Sequence, residues 1–331
     1  MDTPSYSPGH DKADITDIRR ENHAVSIEEL LRRSMSSHPP TFPSLLLWDE
    51  KGLQHFEAIT YSPDYYLTDC EIELLEEYSL DIAREIVPGS VVLELGSGCL
   101  RKIKLLLNAL ETLRKPVDYF ALDLSASELR RTLKDIHPEE FEYVSCHGLL
   151  GTYDDGNRWL RSAEQAVRPK CILSLGSTIG SEERPEAAQF LRWFADAATA
   201  SPRINTSALF VVGVDGCKDG DIVWRAYNDR EGRNTRFIKN LLRHANSILG
   251  CHALDPEDWN VRGEWNNEKG RHEQYLIPKN DIFVGGVRFL GGQKVFVVSS
   301  HKYDAGEQSE MWKAANLQCI RILRTSQNSY T

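Results

Sequence analysis

The sequence predicts an α/β protein: a parallel sheet covered by helices on both faces, with an inserted α+β cap. Three observations predict it. Between Ser90 and Val214, short apolar runs alternate with amphipathic segments, the pattern of parallel strands and their crossover helices. The first of these runs, Ser90-Val-Val-Leu-Glu-Leu95, enters a Gly96-Ser-Gly98 turn. From Gly216 to His301 the alternation stops and one long helical segment precedes several strand-like runs, which reads as an insertion capping the sheet.

Taken in order, residues 1–25 mix Pro, Ser, Gly and charge and are expected to be a disordered tail. Ser26 to Met35 reads as a short amphipathic helix capped by Ser26. Thr41 to Pro63 mixes aromatics and turns. Asp69 to Ile86 is helical, because Ile72, Leu75, Tyr78, Ile82 and Ile86 recur at steps of three and four. Strands are expected at 90–95, 118–122, 141–146, 171–175 and 208–214. Helices are expected at Lys102–Arg114, after the second strand through Lys134, at Tyr153–Ala166 and at Pro185–Ala200. In the insertion, a helix at Asn234–Leu249 precedes strands at 260–266, 271–277, 287–290 and 294–299. Met311–Ala315 and Cys319–Arg324 then resume the helix-strand pattern. The expected organisation is a tail at 1–25, a first part of the cap at 26–75, the sheet domain at 76–215, the inserted cap at 216–302 and the end of the sheet domain at 303–331.

Composition excludes several classes. The chain has 331 residues, 41% hydrophobic and 27% charged, as in an ordinary globular protein. A formal net charge of −10 argues against a nucleic-acid partner, which needs a basic surface. No apolar run approaches the roughly 20 residues of a membrane helix. Seven cysteines form no C-x-x-C pair, so no zinc site is expected, and they read as reduced thiols of a cytoplasmic protein. The histidines show no ligand spacing, and no metal is expected.

The turn after the first strand is the candidate cofactor loop, Val91–Lys102. Glycines let the backbone approach a ligand at the carboxyl edge of an open sheet. Glu94 lies at the strand end, and Asp123 ends the next strand, where a carboxylate can accept both ribose hydroxyls. The third glycine of the dinucleotide fingerprint is absent, and the helix start carries Lys102. A dinucleotide needs its pyrophosphate on a glycine-rich helix start. S-adenosylmethionine instead offers a carboxylate that a lysine can hold. A dehydrogenase, or a plain tight turn beside a surface lysine, is the alternative at this level.

Further motifs are specific: Phe56-Glu-Ala-Ile-Thr60 with Pro63-Asp-Tyr-Tyr66, Glu94-Leu-Gly-Ser-Gly98 with Lys102, Leu122-Asp-Leu124, Leu175-Gly-Ser-Thr-Ile-Gly180, Arg225-Ala-Tyr227, Glu264-Trp-Asn266 and Ser300-His-Lys-Tyr303. In this order they resemble the histidine-specific Nα-methyltransferases of ergothioneine synthesis and, more closely, the fungal dimethylallyltryptophan N-methyltransferases. The resemblance runs from about Ser44 to Tyr303. It implies a Rossmann-like class I S-adenosylmethionine methyltransferase sheet with a substrate-binding cap. It assigns Glu94, Gly96, Gly98, Lys102, Asp123 and Gly176 to the cofactor. It assigns Trp48, Tyr65, Tyr227 and Ser300 to an amino-acid substrate, with Tyr65 and Tyr227 aiming its reacting end.

The departures from that family matter as much. Its asparagine after Thr-Ile-Gly is Ser181 here, a shorter or lost substrate contact. Its imidazole-reading glutamate aligns with Val298, which argues against histidine and for an indole or phenol side chain, prenylated or not. Its adenine-side aspartate aligns with Leu149, so apolar packing, Asp154 or Asp155 takes over that role. The family also adds a final antiparallel strand that the polar tail 325–331 does not supply, so an open sheet edge is expected. The expected reaction is Nα-methylation of tryptophan or dimethylallyltryptophan in fungal secondary metabolism. Tyrosine, another amine and a catalytically silent cofactor-binding paralogue are the alternatives. The expected partner is a small amino-acid-like molecule, and the protein is expected to be a monomer or homodimer.

Overall fold

A computed structural model of the protein describes residues 14–20, 26–98, 102–200, 208–326 and 329–331. The first described segment corrects the expectation of a tail. Ile15–Asp17 is a strand, β1, at the edge of the main sheet. It is seated by shape: a Cβ at its neighbour Gly148 would come within 2.9 Å of Ile15 Cγ1, so the glycine makes the room. Residues 1–13 and 21–25 lie outside the described residues.

Helix α1 (Ile27–Met35) is capped as expected, Ser26 Oγ accepting from the Glu29 N–H at 3.0 Å. The stretch read as turns contains a helix, α2 (Glu50–Thr60), whose start is fixed by Asp49 accepting from the Gly52 N–H at 2.7 Å. Helix α3 (Tyr66–Glu85) starts earlier than its periodicity suggested.

The alternating core follows: β2 (Val91–Leu95), α4 (Ile103–Thr112), β3 (Val117–Asp123), α5 (Ala126–Ile136), β4 (Val144–Leu150), α6 (Tyr153–Leu160), α7 (Ala163–Ala166), β5 (Lys170–Ser174), α8 (Arg184–Ala198) and β6 (Ala208–Val212). Strand β4 lies later than expected: after the tight turn at Pro138–Glu140 the chain bends through Glu142 and Tyr143 before Val144 pairs with Val117. The helix expected over 153–166 breaks in two, and Ser162 caps the second piece. The strands pair in parallel in the order β1-β4-β3-β2-β5-β6. Strand order reverses between β2 and β5, and open sheets of this kind bind ligands at the carboxyl ends beside such a reversal.

Beyond the sheet lie α9 (Gly220–Ala226), α10 (Arg233–Leu249), β7 (Trp259–Asn266), β8 (Arg271–Pro278), the hairpin β9 (Ile282–Val284) and β10 (Val287–Phe289), and β11 (Val295–His301). Strands β11, β8 and β7 make a three-stranded antiparallel sheet. One apolar cluster joins this sheet to the N-terminal helices, through Leu31, Leu46, Leu67, Leu241, Trp259 and Leu276. Separate clusters fill the two faces of the parallel sheet.

Helix α11 (Ala305–Ala314) follows. The strand expected at Cys319–Arg324 does not form, and its alternating Ile320 and Ile322 are 65% and 48% exposed. The edge expected to be open is β6, whose one strand partner among the described residues is β5. The chain end returns antiparallel beyond β6, where Val214 N–H donates to the Thr331 carbonyl at 2.7 Å and Thr331 N–H to that of Val214 at 2.9 Å. Tyr330 is thereby fully buried.

Candidate active site

Four strand ends build the first half of the site. Gly96 and Gly98, after β2, both hold positive φ (68° and 50°), which favours glycine. A Cβ on Gly96 would stand 2.8 Å from the Tyr153 hydroxyl. Asp123 ends β3 beside this turn. Its Oδ2 accepts from the Gly98 N–H at 3.4 Å and its Oδ1 from the Ser125 N–H at 3.2 Å, so each oxygen keeps a lone pair. Burial raises the Asp123 carboxyl above its ordinary range, and those backbone N–H groups oppose the rise. Ser97 Oγ, in the same turn, is buried without a hydrogen-bond partner.

Glu94 sits one layer beneath. It is 4% exposed and accepts from the Tyr119 hydroxyl. Burial pushes its carboxyl up to about 7, with the Tyr119 bond and Lys102 pulling it down. Its place under the loop makes it a support for the turn. Leu149 lies in the apolar cluster with Leu95, Leu122 and Leu160. Asp155 is spent on the cap of α6 and on Arg158, while Asp154 is exposed.

Lys102 and Gly176 meet at Glu71, a residue of α3 that the sequence reading did not single out. Lys102 Nζ pairs with Glu71 Oε2. Glu71 Oε1 accepts from the Gly176 N–H at 2.6 Å and from the Tyr330 hydroxyl at 2.9 Å. Gly213 leaves the space, since a Cβ there would lie 2.3 Å from Glu71 Oε1.

The second half joins β6 to the cap. Tyr227, at the end of α9, meets Ser300 of β11, oxygen to oxygen at 2.7 Å. Lys302 Nζ donates to both, at 2.9 and 3.0 Å, and pairs with Asp215 Oδ2 at 2.7 Å. The Tyr66 hydroxyl also donates to Asp215 Oδ2, at 2.6 Å. The Tyr65 ring stands edge-on to that of Tyr227, centroids 5.8 Å apart, and His272 stacks on Tyr227 at 4.6 Å. Burial and the nearby Lys302 hold the His272 imidazole down to about 3, so it is neutral. Trp48 packs against Phe56 and Phe237. Val298 is half-buried against the same cap cluster.

The structure thus gathers Tyr65, Tyr227 and Ser300 into one cluster, and Gly96, Gly98 and Asp123 into another. Ser181 joins neither: it is exposed, and its hydroxyl donates to the Thr178 carbonyl of its own turn at 2.8 Å. Glu71, Asp215 and Lys302 are candidates that the sequence did not mark, whereas Tyr66 lies in the Pro63-Asp-Tyr-Tyr66 motif. The one available signal was a lysine directly following an apolar strand in Ser300-His-Lys-Tyr303.

A family model described as histidine-specific methyltransferase, SAM-dependent, matches residues 27–331. The chain belongs to this family. It is therefore an S-adenosylmethionine-dependent methyltransferase, and its positive-φ glycines, its two-lone-pair Asp123 carboxylate and the orphaned Ser97 hydroxyl fit that cofactor. Among this methyltransferase's relatives, ergothioneine biosynthesis protein 1 of Neurospora crassa is 42% identical over 316 residues. That match covers 93% of this chain and 35% of the relative, so the chain spans about a third of that protein's length. A 4-dimethylallyltryptophan N-methyltransferase of Trichophyton verrucosum is 38% identical, covering 93% of this chain and 92% of the relative. An N-methyltransferase of Aspergillus flavus is 31% identical, covering 99% and 89%. No helix among the described residues is long and apolar enough to cross a membrane.

Proposed function

We propose that this methyltransferase acts on the α-amino nitrogen of an aromatic amino acid, tryptophan or a dimethylallyltryptophan-like derivative. The observation that carries the reading is the Tyr65–Tyr227–Ser300 cluster with Val298 beside it on β11. The cluster offers hydroxyls to the polar end of an amino acid, and Val298 offers an apolar wall to its ring. The Trichophyton relative's name supports the same substrate class.

When bound, S-adenosylmethionine supplies a methyl group already activated on a sulfonium. The protein's task is placement: a neutral amine must be held in line at near-attack distance. The α-ammonium of a free amino acid titrates above neutral pH, so the site must receive or favour the neutral form. Tyr65, 5% exposed, is pinned against Tyr227 and Phe56 and can aim that amine without reorganising. Burial, with Tyr227 and Asp215 nearby, holds the Tyr65 phenol well above its ordinary range, so it remains a neutral hydroxyl and not a phenolate base. Asp123 would hold the ribose, and Lys102 with the Gly176 turn the cofactor's amino-acid end. The aromatic faces of Trp48, Phe56 and Phe237 exclude water from the cap side.

A second reading, histidine as acceptor, is favoured by the family's description. Val298 separates the two. A buried imidazole left without a polar partner loses about 1–3 kcal/mol, and a valine cannot provide one. Val298→Glu is expected to raise turnover of histidine relative to tryptophan by at least about tenfold, the equivalent of about 1.4 kcal/mol. The measurement is a competition assay read by mass spectrometry. A ratio that does not rise removes Val298 as the specificity position.

A further inference from the structure

Lys302 directly follows β11, and Asp215 lies in the turn after β6; both are fully buried. An ammonium has three protons and no acceptor. Here the three have three acceptors: Asp215 Oδ2 at 2.7 Å, Tyr227 Oη at 2.9 Å and Ser300 Oγ at 3.0 Å. We propose that the buried Lys302–Asp215 pair is the positioning device of the substrate site, fixing the direction in which the Tyr227 and Ser300 hydroxyls present themselves to the amino acid. The proposal rests on the reading of Tyr227 and Ser300 as substrate contacts.

The proton inventory supports it. Each hydroxyl oxygen gives a lone pair to Lys302, so neither hydroxyl proton can point at the ammonium. At 2.7 Å one hydroxyl donates to the other. The remaining proton points away from Lys302. Without the lysine, either hydroxyl could rotate and present a lone pair where it now presents a donor.

An ammonium, with three donors and no acceptor, can hold both hydroxyls and Asp215 at once. A buried ammonium is tolerated when it is paired and fully hydrogen-bonded. Asp215 is held for that purpose from three sides. Its carboxylate accepts from Lys302 and from the Tyr66 hydroxyl at Oδ2, and from the Cys217 N–H at Oδ1, at 2.9 Å. Its carbonyl accepts from the Tyr303 N–H at 2.8 Å, tying the end of β6 to the end of β11. Burial works against the charge of Lys302, and Asp215 and Tyr227 outweigh it and hold the ammonium above its ordinary range. The backbone bond and the side-chain pair thus both join the end of β6 to the end of β11.

The test replaces both charges together, because removing one would strand the other. Lys302→Met with Asp215→Asn is expected to raise KM for the amino acid at least about tenfold while the cofactor Kd, by calorimetry, stays within about twofold. In the native background Tyr227→Phe should also raise KM, but in the neutral-pair background it should add little, because the two act as one unit. If the methionine variant does not fold, Lys302→Gln with Asp215→Asn, whose amides can bond each other, carries the same measurements. A KM that rises with Tyr227→Phe but not with the neutral pair overturns the positioning role alone. A KM unmoved by Tyr227→Phe overturns the substrate assignment beneath it. Equal losses of KM, kcat and cofactor affinity in the neutral pair would show a merely structural part and also overturn the proposal.

Discussion

Asp123→Ala is expected to abolish measurable cofactor binding. The carboxylate already accepts one backbone N–H on each oxygen, which orients it and leaves one lone pair on each for a ribose hydroxyl. Two hydrogen bonds to a charged group are worth about 3–6 kcal/mol together, which is roughly 10²- to 10⁴-fold in Kd. The variant should still fold. Burial already raises the Asp123 carboxyl, so its charge carries a desolvation cost that alanine removes. Titration calorimetry with S-adenosylmethionine or S-adenosylhomocysteine reads the effect, and unchanged affinity would remove Asp123 and the turn after β2 from the cofactor site.

Glu71→Ala is expected to cost stability and cofactor affinity together. One carboxylate serves Lys102, the Gly176 N–H and the Tyr330 hydroxyl, so its loss removes a contact from each of three distant segments. Breaking a buried pair from one side costs about 3–5 kcal/mol. For a chain of 331 residues that lowers Tm by about 4–7 °C. Glu71→Gln, which still offers an oxygen to the Gly176 N–H, should fall between alanine and the native protein. Lys102 and the Gly176 turn would lose their shared anchor, so cofactor affinity should fall in both variants. Calorimetric scans of the three proteins, with and without cofactor, measure both effects, and an unchanged Tm in Glu71→Ala would show that the knot contributes nothing.

The two effects differ in how far the sequence could reveal them. Asp123 was legible because a parallel strand, a glycine turn and a carboxylate at the next strand end are local features with a fixed geometric consequence. Strands β2 and β5 were legible as apolar runs buried on both faces, and β3 and β6 as apolar runs only partly covered. Strand β4 was displaced because His147 and Gly148 interrupt its apolar run, and Gly148 is there to admit β1. Helix α2 was hidden by Gly52, which ordinarily argues against a helix. A Cβ there would lie 1.8 Å from the Leu47 carbonyl oxygen, so close packing on the preceding turn requires the glycine. Ile320 and Ile322 alternate like a strand, but no neighbour among the described residues offers them a ladder. Glu71, Asp215 and Lys302 were not legible as a site because their roles exist only in pairing between α3, the turn after β6 and the end of β11. In one dimension each is an ordinary charged residue, and only burial shows that it is held for a purpose.

The central claim concerns the acceptor. It is tested most directly by incubating the protein with methyl-labelled S-adenosylmethionine and an equimolar panel of histidine, tryptophan, tyrosine and 4-dimethylallyltryptophan, then locating the label by mass spectrometry. The account predicts label on the α-nitrogen of tryptophan or its prenylated derivative, in excess over histidine. Label on histidine in preference to the indole substrates would contradict it.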